Sequence, residues 1–245
     1  MKSDVSFDSS LSKFGIGLFE TIRVDKNILD LNLHIDRLYN SISELNLDIS
    51  YDRKFIEDKI VEYVYKNKIC NKALRLTVFD EGYNISVRNI PYDEKSYKSG
   101  FKLNISPIKR GYSILYRHKT TNYFENIYTK NYASKQGFND GIFIDINGVV
   151  LECSMSNIFF IKNNTIFTPH QELPILNGTM KKRILDICGE LNIKLIQKKI
   201  QIFEIKDFDF VFVTNSLMRV MKVTQIETKK YDDSNEIFDK ILTCI

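Results

Sequence analysis

"VVLECSMSNIFF", residues 149–160, sets one acidic side chain between two apolar, β-branched and aromatic runs. Residues 149–152 and 157–161 read as short strands. Just upstream, "DINGVV" (residues 145–150) places Asn-Gly between apolar runs, the signature of a hairpin turn. Glu152 lies inside the strand-like stretch, and two outcomes are open for it. On an edge strand it points to solvent. Buried, it costs several kcal/mol unless hydrogen bonds and a cationic partner meet it.

Outward from that hairpin the chain reads as strands with helices laid on them. Downstream, 165–167 is a strand, and 179–191 is a helix striped by Ile184, Ile187, Cys188 and Leu191. The apolar run 209–213 is a buried strand, and 234–242 is a terminal helix. Upstream, 141–146 is a strand and 123–137 a helix. The first ~105 residues carry strands at 18–24, 73–79, 83–87 and 101–105. Two helices stand among them, 32–46 with a stripe of Ile35, Leu38, Ile42 and Leu45, and 53–67. Pro107, Gly111 and several polar residues mark 106–117 as a connection. The fold class is α+β: a small N-terminal unit (1–107), a connection (108–116), and a larger unit of mixed sheet or barrel with helices (117–245).

Composition narrows the function. The chain has 245 residues, 43% hydrophobic and 27% charged, enough for a sizeable core. Lys and Arg total 35 against 31 Asp and Glu, with the signs interleaved, so nothing favours a nucleic-acid partner. The four cysteines form no CxxC pair and the three histidines are scattered, which argues against a zinc site or a disulfide framework. "MKSDVSFDSS" lacks the apolar core of a signal peptide, and no stretch approaches ~18 uninterrupted apolar residues. A cytoplasmic setting without a membrane span is the expectation.

Three further places offer chemistry. In "LPILNGTMKKRIL" (173–185), Asn177-Gly178-Thr179 opens a helix, whose free N–H groups suit an anion or merely start the helix. In "FVFVTNSLMRVMKV" (210–223), a buried strand ends in Thr214, Asn215 and Ser216, which fit a phosphate or simply begin a loop. Lys119, in "RHKTTNYFENIYTKNYA" (117–133), is either one more solvated charge or a nucleophile, and the second needs desolvation or a nearby cation. Together, a phosphate cradle, a reactive lysine and a carboxylate are the parts that hold pyridoxal 5′-phosphate.

In order and spacing these motifs resemble the fold-type IV pyridoxal-phosphate enzymes: branched-chain aminotransferases, D-amino acid aminotransferases and 4-amino-4-deoxychorismate lyases. The resemblance runs from about Phe14 to Val223. "FGIGLFETIRV" is similar to the family's opening strand, with Ile16 where the family usually has Asp. "LHIDRL" resembles its His-x-x-Arg-Leu motif, which implies that Arg37 binds the cofactor phosphate. "HKTTNY" resembles the segment of the Schiff-base lysine, assigning Lys119 as the catalytic residue with Tyr123 near the cofactor ring. "ECSMSN" resembles the E-x-x-x-x-N element, assigning Glu152 to the pyridine nitrogen and placing Asn157 at the cofactor. "LNGTM" resembles the phosphate turn of Gly178, Thr179 and Met180. "TNSL" resembles the last phosphate element, with Thr214, Asn215 and Ser216.

Within the family, "NSLMRVMKV" most resembles the lyases, which implies conversion of 4-amino-4-deoxychorismate to 4-aminobenzoate and pyruvate. The alternatives are a class IV aminotransferase acting on branched-chain or D-amino acids, or a catalytically altered cofactor-binding protein, for which Ile16 speaks. Thr21, Asn215, Arg75, Arg219 and Lys222 are the candidate contacts to a small amino substrate. Relatives of this kind are homodimers, and the same is expected here.

Overall fold

Leu18–Val24 (β1) shows how the first sheet is built. Leu18, Ile22 and Val24 are buried on one face, as the two-residue period of a strand requires. The computed structural model describes residues 1–245. The chain forms two units, Met1–Pro91 with His118–Tyr123, and Tyr92–Arg117 with Phe124–Ile245. In the first, β1 pairs antiparallel with β2 (Lys72–Phe79), and β2 with β3 (Gly82–Asn89). A short helix, α1 (Ser10–Phe14), precedes β1; it has no buried face, so no apolar period announces it. Helices α2 (Leu31–Glu44) and α3 (Arg53–Lys66) stand where the sequence reading sets them. The Asp52 carboxylate caps α3, accepting from Phe55 N at 2.7 Å. Ile35, Leu38, Ile56 and Ile60 close the core over Leu18, Ile22, Leu74 and Leu76. The register sets Thr21 opposite Arg75 and Phe19 opposite Thr77 on the other face of the sheet.

The second unit holds a nine-stranded mixed sheet. Its elements are α4 (Glu94–Ser99), β4 (Phe101–Arg110), α5 (Phe124–Lys135), β5 (Asp140–Asp145), β6 (Val150–Cys153), β7 (Asn157–Lys162) and β8 (Thr165–Pro169). They continue with α6 (Thr179–Glu190), β9 (Leu195–Lys198), β10 (Phe210–Asn215), β11 (Arg219–Ile226), β12 (Lys229–Lys230) and α7 (Glu236–Leu242). The strand order is β6-β5-β4-β11-β10-β7-β8-β9, with β12 beside β11. The Asn147-Gly148 hairpin forms as expected: Gly148 takes φ 79°, and the Asp145 carboxylate accepts from Asn147 N and Val149 N at 2.8 Å.

Two strands differ from the sequence reading. Residues 101–105, expected among the strands of the N-terminal unit, begin β4, which pairs parallel with β5 and β11 in the large sheet. β4 also runs on to Arg110, through the stretch expected as a connection. Pro107 is tolerated because the register with β5 shifts between Ile105 and Lys109, where the proline needs no ladder donor. Arg219–Ile226, which the sequence offers only as the tail of a motif, is a full strand with Val220, Met221 and Val223 buried. No helix is long and apolar enough to cross a membrane.

Candidate active site

Lys119 is held against the free edge of β1. Phe19 N donates to Lys119 O at 2.9 Å, Leu18 and Thr120 form a bridge, and Thr121 N donates to Gly17 O at 2.9 Å. The Thr121 hydroxyl donates to the carbonyls of Gly15 and Gly17. A Cβ at Gly17 would lie 3.0 Å from Val78 O and 3.2 Å from the Thr121 hydroxyl, so the second glycine of Gly-Ile-Gly is a packing requirement. Ile16 is 45% exposed, so the residue that departs from the family's usual opening faces outward. The Lys119 ammonium lies 4.6 Å from the Phe19 ring centroid and 5.2 Å from that of Tyr123. Phe19 and Tyr123 meet edge to face at 5.2 Å. The Arg75 guanidinium packs on the Phe19 ring at 3.7 Å, and its Nε donates to the Thr77 hydroxyl at 3.3 Å. Burial lowers the Arg75 pKa, with Tyr123 opposing. The structure therefore gathers Lys119, Tyr123 and Arg75 around Phe19, with Thr21 beside Arg75.

Arg37 is engaged by Glu20, a residue of the opening-strand motif to which the sequence reading gives no role. Glu20 is the one acidic side chain on the core face of β1 and is 1% exposed. Arg37 donates to it through Nε at 2.8 Å and Nη2 at 2.5 Å, and His34 Nδ1 meets the same carboxylate at 2.6 Å. The His-x-x-Arg spacing sets both partners on one face of α2. Burial pushes the Glu20 pKa up, but the Arg37 charge and the His34 hydrogen bond outweigh it and hold it at about 2. The sequence does carry a signal for it: in the alternation Leu18, Glu20, Ile22, Val24, Glu20 shares the buried face.

Glu152 is buried on β6 and has the cationic partner that burial demands. Arg110 Nη1 donates to Oε1 at 2.9 Å, while Leu176 N at 3.1 Å and Asn157 Nδ2 at 3.4 Å reach Oε2. Arg110 is 2% exposed and lies within the expected connection, where nothing local distinguishes it. Asn157 Nδ2 also donates to Leu176 O at 2.8 Å. A Cβ on Gly178 would fall far inside the contact radius of Asn157 Oδ1, so only glycine fits there. Gly178→Ala is expected to cost about 2 kcal/mol of stability through overpacking. It should also weaken cofactor affinity at least about ten-fold, measured by fluorescence titration of the apoprotein; unchanged affinity refutes the tight-turn reading.

Gly178 caps α6 with no side-chain cap for its first-turn N–H groups, those of Thr179 and Met180 among them. Thr214 pairs in register with Asn157 across β10 and β7, and its hydroxyl is buried without a hydrogen-bond partner. A buried unsatisfied hydroxyl and uncapped helix N–H groups are the kind of donors that a phosphate completes, so these residues fit a phosphorylated cofactor.

Other candidates are engaged differently. The Asn215 side chain builds its own turn: Oδ1 accepts from Leu217 N at 3.0 Å and Met218 N at 2.8 Å, and Nδ2 donates to Met155 O at 3.1 Å and the Tyr92 hydroxyl at 3.2 Å. Ser216 lies in that turn, half-buried. Arg219 follows it with a left-handed φ of 61°. The Lys222 ammonium is taken by Asp233 at 2.5 Å. Lys181 stands outside every expectation from sequence. It is 2% exposed, donates to Pro169 O at 2.8 Å, and burial lowers its pKa to about 8 against the pull of Glu152.

The model of the family described as amino-transferase class IV matches residues 17–226. The chain belongs to the class IV aminotransferases. Members of this family are pyridoxal 5′-phosphate enzymes, and pyridoxal 5′-phosphate is the cofactor. Similar sequences include a D-alanine aminotransferase of Bacillus licheniformis, 27% identical over 88% of this chain and 80% of its own length. A probable branched-chain-amino-acid aminotransferase of Rickettsia felis is 25% identical over 87% of this chain and 79% of its own. The aminodeoxychorismate lyase of Bacillus subtilis is 24% identical over 89% and 80%. Among solved structures, the branched-chain aminotransferase of Thermoproteus uzoniensis with norvaline has a TM-score of 0.90 at 22% identity, covering 99% of this chain and 88% of that one. A putative 4-amino-4-deoxychorismate lyase of Legionella pneumophila has a TM-score of 0.90 at 23% identity, covering 100% and 95%. These likenesses establish the class IV fold.

Proposed function

We propose that this class IV enzyme is a lyase that converts 4-amino-4-deoxychorismate to 4-aminobenzoate and pyruvate. The observation that carries this reading is the set around Lys119: the rings of Phe19 and Tyr123 beside the Arg75 guanidinium. A planar cation held on an aromatic ring suits the carboxylate of a ring substrate. The lyase of Bacillus subtilis, similar over 89% of the chain, lends further support.

Pyridoxal 5′-phosphate supplies the electron-withdrawing ring that accepts electron density from the reacting carbon. Lys119 holds the cofactor, takes the proton from the amine-bearing ring carbon and returns one to the enolpyruvyl methylene. Glu152, paired with Arg110, would meet the pyridine nitrogen of the bound cofactor. Thr214, Ser216, Arg37 and the N–H groups of Thr179 and Met180 hold the phosphate. Arg75 takes the substrate carboxylate, with Thr21 beside it. A cytoplasmic homodimer is the setting that goes with this reading.

A second reading, an aminotransferase of branched-chain or D-amino acids, is favoured by the names of the Rickettsia felis and Bacillus licheniformis relatives. One assay separates them. Holoprotein is given 4-amino-4-deoxychorismate, and in parallel D-alanine or a branched-chain amino acid with 2-oxoglutarate. Release of 4-aminobenzoate and pyruvate in equal amounts is expected. Keto-acid exchange without 4-aminobenzoate overturns the lyase in favour of the aminotransferase.

A further inference from the structure

The turn between β6 and β7 is held from more directions than a short connection needs. Cys153 N donates to Ser156 O at 2.8 Å and closes it. Ser154 N donates to Gly141 O at 2.9 Å, and Ser154 O accepts from Asn126 Nδ2 at 2.7 Å. Asn126 Oδ1 in turn accepts from Arg110 Nη2 at 3.3 Å. Met155 O accepts from Asn215 Nδ2 at 3.1 Å, which ties the turn to the end of β10. The Asp140 carboxylate, 1% exposed at the start of β5, accepts from two donors of the turn, the Ser154 hydroxyl and Met155 N at 3.3 Å, and from its neighbour Gly141 N at 2.8 Å. The two residues that flank this turn are the ones that matter, since Glu152 precedes it and Asn157 follows it. A shift of the turn therefore moves the Glu152 carboxylate relative to Asn157, and with it the contact of Asn157 with Gly178.

We infer that Asp140 is a positioning residue for the reaction, acting through Ser154 and Met155 to fix Glu152 and Asn157. Asp140 touches neither residue directly, and it belongs to none of the motifs. A carboxylate suits the position because its two oxygens accept from both donors of the turn at once; an amide offers one acceptor and would face Met155 N–H with its own N–H₂. Burial raises the Asp140 pKa, with the Lys130 charge and the hydrogen bonds from Ser154, Gly141 and Met155 opposing. The inference rests on the reading of Glu152 as the partner of the pyridine nitrogen, and the test keeps the two apart.

The test titrates the visible absorption band of the bound cofactor against pH in the wild type and in E152Q, D140N, S154A and S154T, with melting of each apoprotein alongside. On the reading of Glu152 as the partner that keeps the ring nitrogen protonated, E152Q moves the pH midpoint. S154A and D140N are expected to move it in the same direction by a smaller step, and S154T, which keeps the hydroxyl, to restore it. S154A should reduce kcat about five-fold with KM within about two-fold, the rate equivalent of one ordinary hydrogen bond. If D140N does not fold, S154A and S154T decide. A lower melting temperature with midpoint and kcat unmoved, while E152Q still moves the midpoint, overturns the inference and leaves the reading of Glu152 standing. A midpoint that E152Q itself leaves in place overturns both.

Discussion

Lys119→Ala is expected to abolish turnover, by at least about a thousand-fold, because the proposed mechanism asks one amine both to hold the cofactor and to move the proton. Borohydride reduction of wild-type holoprotein followed by peptide mapping places the label on the peptide that contains Lys119, and the variant carries none there. The geometry supports a selective reaction at this amine. Its backbone is fixed by the bridge to β1, and its ammonium lies beside the rings of Phe19 and Tyr123. Lys181 makes the experiment decisive. It is the other lysine with a physical claim to reactivity, since burial lowers its pKa to about 8. Its amine, however, is turned to Pro169 O and is 2% exposed. A label on Lys181, or near-normal turnover in Lys119→Ala, overturns the assignment.

Glu20→Ala is expected to cost about 3 to 5 kcal/mol of stability, because it strands Arg37 and His34 without the anion that they share. In a chain of this size that is a fall of roughly 10 °C in melting temperature. The pH dependence has a definite sign. The Glu20 pKa falls from 4.5 to about 2 on folding. Its stabilisation is therefore fully present above the unfolded value and is lost as pH falls through the folded one. Denaturant melts of wild type and Glu20→Ala should differ by a constant amount from about pH 5 to pH 8 and converge as pH drops from about 4.5 toward 2. A gap that persists at about pH 2, or one below about 1 kcal/mol at neutral pH, contradicts the buried-triad account.

The legibility of the fold follows the range of the forces involved. Strand β1, helices α2, α3 and α6 and the Asn147-Gly148 hairpin stand where the sequence reading sets them, within a residue or two. Each is specified by residues close together in sequence: an apolar period, a cap, or a turn that needs φ above zero. β4 lies in a different sheet from the expected one because its start reads as an ordinary strand whichever sheet accepts it. Its partners β5 and β11 are chosen by packing and not by local pattern. β11 escapes a sequence reading because its alternation overlaps a motif that draws attention to chemistry instead of structure.

The same division runs through the site. The family is written in the order of short motifs, from the glycines before β1 to the end of β10, and so is the identity of the cofactor. What completes the site is not local. Arg37 meets Glu20 17 residues away, and Arg110 meets Glu152 42 residues away. A buried carboxylate must find a cation to stay charged, and which cation it finds depends on which strands and helices lie against it. Sequence alone therefore determined what this protein is built to bind, and tertiary structure alone decided which side chains hold the charges in place.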